Sequence, residues 1–169
     1  MADFRFVTLW ELEAPIETVW AALTDYSQWP SWWPAVRSAV ELEPAEPSGL
    51  GGLRKFVWQT PLGYSLSFDT AITHLEAPHL IGLRAAGEVE GTGRWELSST
   101  AQGTQMVYFW TVRTTQPWMN VLARLIKPLM EWNHDDIMRQ GGKGLARHLG
   151  VSLVRNEALP PGSKEALSA

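Results

Sequence analysis

With 169 residues, 45% of them hydrophobic and 19% charged, the chain can bury one substantial core and is too apolar to be disordered. A formal charge of −4 with scattered Lys and Arg carries no footprint for nucleic acid or for an anionic membrane surface. The absence of cysteine excludes disulfides, thiolate nucleophiles and Cys-ligated metals, and no run approaches the roughly 18 apolar residues of a membrane span.

The start, MADFRFVTLWELEAP, has no basic segment followed by an apolar one and does not read as a signal peptide, so a cytoplasmic location is expected. Phe4 to Leu12 alternate as a strand that ends at Ala14-Pro15. Pro15 suits a helix start, and Ile16, Val19, Trp20 and Leu23 follow at helical spacing with Glu17 near the positive end. Asp25 and Ser27 read as turn or cap residues for a second short helix, YSQWPSWW, closed by Pro34.

From Val36 the period changes to two. Strands are predicted over 35–42 and 53–59, separated by the Pro/Gly-rich EPAEPSGLGG. After a turn at 60–63, Tyr64, Leu66, Phe68, Thr70 and Ile72 share one face of the next strand. Strands over 79–86 and 92–98 form a hairpin around Gly87–Gly91, and the last strand puts Met106, Tyr108, Trp110 and Val112 on one face. Helix returns at Gln116-Pro117 and runs to about Leu149. Its apolar stripe is Trp118, Val121, Leu122, Leu125 and Leu129, then Met130, His134, Ile137, Met138, Gly141, Leu145 and Leu149. A kink near Pro128 would let both parts face one sheet. The domain is expected over 1–150, with 151–169 a polar, disordered tail.

This order predicts an α+β domain of about seven strands, a curved antiparallel sheet wrapped around one long helix. The segments LWELEAPIETVWAALTDYSQWPSWWPAV, GEVEGTGRWEL, GTQMVYFWTVRTTQPWMN and WNHDDIMRQGGKGLARHL, in this order and spacing, resemble the START-like superfamily, and specifically its polyketide cyclase/dehydratase-like branch. The resemblance covers about residues 3–149 and implies the helix-grip fold with an apolar cavity between sheet and C-terminal helix. Members bind lipids, sterols, hormones, quinones or polyketides, and only some are enzymes, so the fold alone does not decide the activity.

Ten tryptophans, three of them in WPSWWP, supply either an aromatic core or the walls of such a cavity. The wall is expected from Tyr64, Phe68, Trp95, Tyr108 and Trp110, with Trp33 and Trp58 at the mouth and Met130 and Met138 as adaptable filler. His134 lies in the middle of the inward stripe. It reads either as a core histidine with a hydrogen-bond partner or as the polar contact of a ligand, and as a candidate acid/base if there is turnover. Asp135 and Asp136 leave its helix face and no second histidine lies at i+4, so a metal site is not expected. No cofactor is expected either: GGKG lacks the spacing of a phosphate loop, and its glycines instead suit close packing.

The sequence thus favours a binder of a small hydrophobic or aromatic molecule, lipid-like or polyketide-like. The alternatives are a polyketide cyclase/dehydratase and a protein-interaction module built on an exposed Trp29-Pro30-Ser31-Trp32 surface. A monomer and a homodimer are equally compatible with these features.

Overall fold

The computed structural model describes residues 3–163, apart from the side chains of Met119, Asn120, Ala123 and Arg124. It opens with β1 (Asp3–Leu12), α1 (Ile16–Thr24), a 3-10 turn (Tyr26–Gln28) and α2 (Trp29–Trp32). Six strands follow: β2 (Val36–Ala45), β3 (Gly51–Gln59), β4 (Ser65–Glu76), β5 (Leu80–Gly87), β6 (Val89–Ser99) and β7 (Thr104–Thr114). The chain continues through α3 (Pro117–Val121), α4 (Ala123–Leu149) and β8 (Leu153–Leu159). The strands make one antiparallel sheet in the order β2-β3-β4-β5-β6-β7-β1-β8. Register shifts in β1, β2, β3 and β4 add local twist and bend the sheet. This is the helix-grip arrangement.

The alternation read from the sequence holds along the inner face. Phe68 and Thr70 on β4, Ile81 and Ala85 on β5, Trp95 and Leu97 on β6, and Met106, Trp110 and Val112 on β7 are all buried. On the opposite face a smaller cluster joins Val7 and Leu9 to Val107, Phe109 and Leu159. The expected turn from Gly87 to Gly91 shrinks to Glu88, because β6 starts at Val89 and carries Gly91 and Gly93 inside it. Gly91 (φ 158°) is a close-approach residue: a Cβ there would collide with the Thr111 carbonyl of β7.

Two further expectations are corrected. Residues 153–159, expected within a disordered tail, form β8 along the free edge of β1, which raises the strand count to eight. Gly150 ends α4 in the left-handed region (φ 67°), and the Val151 N–H donates to the Ala146 carbonyl, turning the chain back toward the sheet. Asn156 then donates to the Arg139 carbonyl at 2.9 Å and ties the strand to the helix. Residues 164–169 of that tail lie outside the described residues.

The apolar stripe expected from Trp118 to Leu129, on both sides of Pro128, does not face the sheet. Trp118, Leu122 and Leu129 are exposed, and Val121 and Leu125 are exposed by 83% and 81%. The helix breaks at Leu122 (φ −94°, ψ 5°), which splits the expected stripe, and Pro128 lies inside the second turn of α4. From Met130 onward the stripe turns inward as read from the sequence, and α4 packs on β1, β8 and α2.

The core is an aromatic lattice. Trp33 contacts Trp10 (ring centroids 5.3 Å apart), Trp29 (5.2 Å) and Trp58 (5.0 Å), and Trp10 contacts Trp95 at 5.1 Å. The GGKG segment exists for this lattice. A Cβ on Gly141 would strike the Trp33 indole, and one on Gly144 would strike the Trp32 carbonyl. The two glycines let α4 rest directly on α2 and β1.

Candidate functional site

Beneath α4 the concave face encloses a cavity of about 350 Å³, inside the range of roughly 300–1,000 Å³ common for small-molecule sites. Its wall is built by period-two alternation: β7 presents Tyr108 and Trp110, β6 presents Trp95, β4 presents Leu66 and Phe68, and β3 presents Phe56 and Trp58. Tyr108 stacks between Trp95 (4.4 Å) and Trp110 (5.8 Å), and burial raises its phenol above the ordinary value. Gly93 makes room for this stack, since a Cβ there would lie 2.6 Å from the Tyr108 hydroxyl and 3.0 Å from Trp110.

α4 closes the cavity with Met130, Asn133, His134, Ile137 and Met138. The His134 ring lies parallel to Phe6 of β1, with centroids 3.9 Å apart. Its Nδ1 is buried without a hydrogen-bond partner, as is Oδ1 of Asn133. The Asp135 carboxylate comes only to 3.6 Å from Nδ1, beyond hydrogen-bond reach. Burial therefore prevails and lowers the His134 pKa below its ordinary value, with Asp135 opposing the shift in part. The imidazole is neutral near pH 7 and its ring lines the apolar chamber, while Nδ1 lies buried on the Asp135 side. It can accept or donate one hydrogen bond, or take up a proton from a bound molecule.

Nine of the ten residues expected at the site, Trp33, Trp58, Phe68, Trp95, Tyr108, Trp110, Met130, His134 and Met138, line this cavity. Tyr64 does not: β4 begins at Ser65, so Tyr64 escapes the strand's alternation and donates its hydroxyl to Sδ of Met130 at 3.5 Å. Trp33 is not at a mouth. It is 2% exposed, donates its indole N–H to the Ile137 carbonyl at 2.9 Å, and forms part of the floor. Trp29 and Trp32 are buried too, which removes the exposed tryptophan surface expected for an interaction module. The indoles fold inward because the short helix lies under α4.

Several lining residues were not singled out from the sequence. Phe4 and Phe6 of β1 were read as strand without a face, and Arg54 shares with Phe56 and Trp58 an alternation that could have pointed it inward. Asn133, buried beside His134, also belongs to the wall. Among the described residues no group of His, Cys, Asp and Glu side chains could hold a metal ion, and no helix is long and apolar enough to cross a membrane.

A bent sheet gripping a long helix around an apolar chamber defines the class of helix-grip ligand-binding domains. Residues 4–150 match the family model described as polyketide cyclase/dehydrase and lipid transport, and the chain belongs to that family. No curated protein matches the sequence at a significant level. Among solved structures it is similar to the Zhui aromatase/cyclase from Streptomyces sp. R1128, with a TM-score of 0.70 and 15% identity over 88% of this chain and 93% of that one. It is equally similar to BexL, a di-domain ARO/CYC from the BE-7585A biosynthetic pathway (TM-score 0.70, 18% identity, 87% of this chain), and spans 50% of that protein's length. A START superfamily protein from Mycobacterium smegmatis gives 0.68 at 14% identity, over 88% of this chain and 97% of that one. At these identities the likeness concerns the fold.

Proposed function

We propose that the protein binds one small hydrophobic or aromatic molecule, lipid-like or polyketide-like, in the chamber between sheet and α4. The observation that carries this reading is a chamber of about 350 Å³ walled by aromatic rings and lined on the α4 side by a neutral His134 and by Asn133, each of which also holds a buried polar atom without a hydrogen-bond partner. An orphaned buried polar atom costs about 1–3 kcal/mol; with a small side-chain adjustment a ligand hydroxyl could donate to Asn133 Oδ1, and a hydroxyl or carbonyl could pair with the His134 imidazole according to its tautomer. Trp95, Tyr108, Trp110, Phe68, Trp58 and Trp33 would supply the apolar contacts, and Met130 and Met138 would adapt to the ligand's shape.

The test is native mass spectrometry on protein purified from its own host, followed by titration of the stripped protein with the neutral fluorophore N-phenyl-1-naphthylamine. A one-to-one apolar adduct, or saturable one-to-one dye binding, is expected. An apo mass together with no saturable dye binding refutes the reading.

The same imidazole favours a second reading, cyclisation or dehydration of a polyketide-like substrate. In a ring closure, neutral His134 would take a proton from a carbon flanked by carbonyls, and that carbon would attack a second carbonyl. The imidazolium would then return the proton to the new alkoxide. The two readings separate on His134→Ala: an enzyme loses turnover and keeps substrate binding, whereas a carrier shows no turnover to lose.

A further inference from the structure

The chamber carries one full charge. Among its lining residues Arg54 is the only Lys or Arg, and none is Asp or Glu. Arg54 sits on β3 two residues before Phe56, on the same inward face. Its guanidinium carbon lies 4.2 Å from the centre of the Tyr26 ring, and the Tyr26 hydroxyl donates to Oε2 of Glu41 at 2.8 Å. Arg54 Nε is buried with no hydrogen-bond partner, and no ion pair to Arg54 occurs among the described residues.

The Tyr26 ring lies against the guanidinium and restrains it, and Nε of Arg54 is left buried without an acceptor. A cation kept in an apolar wall with an idle donor is unfavourable unless an anion completes it. The planar fork matches a carboxylate, whose two oxygens accept parallel hydrogen bonds. A single compensating charge suits a monoanion better than a phosphate monoester, which carries nearly two charges near neutral pH.

We propose that Arg54 is the anion-recognition residue of the chamber and that the ligand is an amphiphile with one carboxylate and an apolar body. This rests on the cavity-binding reading above and narrows its ligand class. Arg54 and the Asn133–His134 pair belong to different walls, β3 and α4, so the ligand would be held at its carboxylate by one and at a second polar group by the other.

The experiment displaces N-phenyl-1-naphthylamine from the full chain at pH 8 with decanoate, decanol and decyl phosphate, the ligands kept below their micelle thresholds. The wild type should prefer decanoate to decanol by roughly tenfold or more, the scale of a charge-assisted hydrogen bond, and should not prefer decyl phosphate to decanoate. Arg54→Met should bring the decanoate-to-decanol ratio close to one, and Arg54→Lys should restore part of it. A ratio cancels any general change in the chamber, and far-UV circular dichroism with a thermal melt confirms that each variant is folded. If Arg54→Met does not fold, the wild-type ratio and the Lys variant still decide. Dye binding with no preference for decanoate, a preference that survives in Arg54→Met, or a preference for decyl phosphate overturns the proposal and leaves cavity binding intact. Failure of the dye to bind the wild type together with an apo native mass overturns both, and a native adduct that lacks a carboxylate overturns the Arg54 proposal alone.

Discussion

His134→Leu separates a structural histidine from one held in place for a ligand. The variant removes a buried ring nitrogen that has no partner, a relief of about 1–3 kcal/mol. It also removes the stack on Phe6 at 3.9 Å, a loss of about 0.5–1.5 kcal/mol. Leucine adds apolar surface in a site already 14% exposed at the side chain. The sum runs from about 0.5 kcal/mol less to about 2.5 kcal/mol more stable than the wild type.

The pH dependence gives a second readout of the same change. The folded pKa of His134 is lowered by burial from 6.5, so above that value both folded and unfolded chains hold a neutral ring. As pH falls below it, the unfolded chain takes up a proton that the buried ring refuses, and stability declines toward the folded pKa. Urea unfolding of the unliganded protein at about pH 7.5 and pH 5.5 measures both effects. His74, His79 and His148 are common to the two proteins, so the difference between them isolates His134. The variant should be no more than about 0.5 kcal/mol less stable at the higher pH and should lose less at the lower one. A loss above about 1 kcal/mol at the higher pH with an unchanged m-value, or identical pH dependence, would refute the reasoning and make His134 an ordinary core residue.

Gly144→Ala gains about 1 kcal/mol of helix propensity, but its Cβ meets the Trp32 carbonyl and must push α2 from α4. A net loss of about 1–3 kcal/mol and a melting temperature lower by roughly 3–10 °C are expected, and an unchanged melt would contradict the close packing. Gly142→Ala is the control, because the atoms nearest its Cβ, at 3.0 Å, are the side-chain amide end of Asn156, which can shift; its stability should stay within about 1 kcal/mol of the wild type. Leu125→Ser, at a position 81% exposed, should change unfolding stability by no more than about 0.5 kcal/mol. A loss near 2 kcal/mol would instead return this residue to a buried stripe.

Most of the fold was legible in the order of its elements. The inner faces of β4 to β7 and the stripe from Met130 to Leu149 follow from periods of two and 3.6, which are properties of the backbone and need no partner to be recognised. Nine of the ten residues expected around the chamber line it, seven of them on those faces and two, Trp33 and Trp58, elsewhere. Tyr64 failed at a strand end, where alternation lapses within one residue.

Local pattern carried no information on which surfaces would meet. An apolar stripe over Trp118–Leu129 looks the same whether a sheet lies under it or not, and it stands exposed because the helix breaks at Leu122. Residues 153–159 are polar enough to read as a tail, yet the free edge of β1 offers backbone partners that make them a strand. The wall positions and the long helix were therefore written in the chain's periodicities. The inward turn of WPSWWP, the eighth strand, and the placing of Arg54 in a chamber lining otherwise free of Lys, Asp and Glu arise from contacts between segments far apart in sequence, and only the packed sheet and helices decide them.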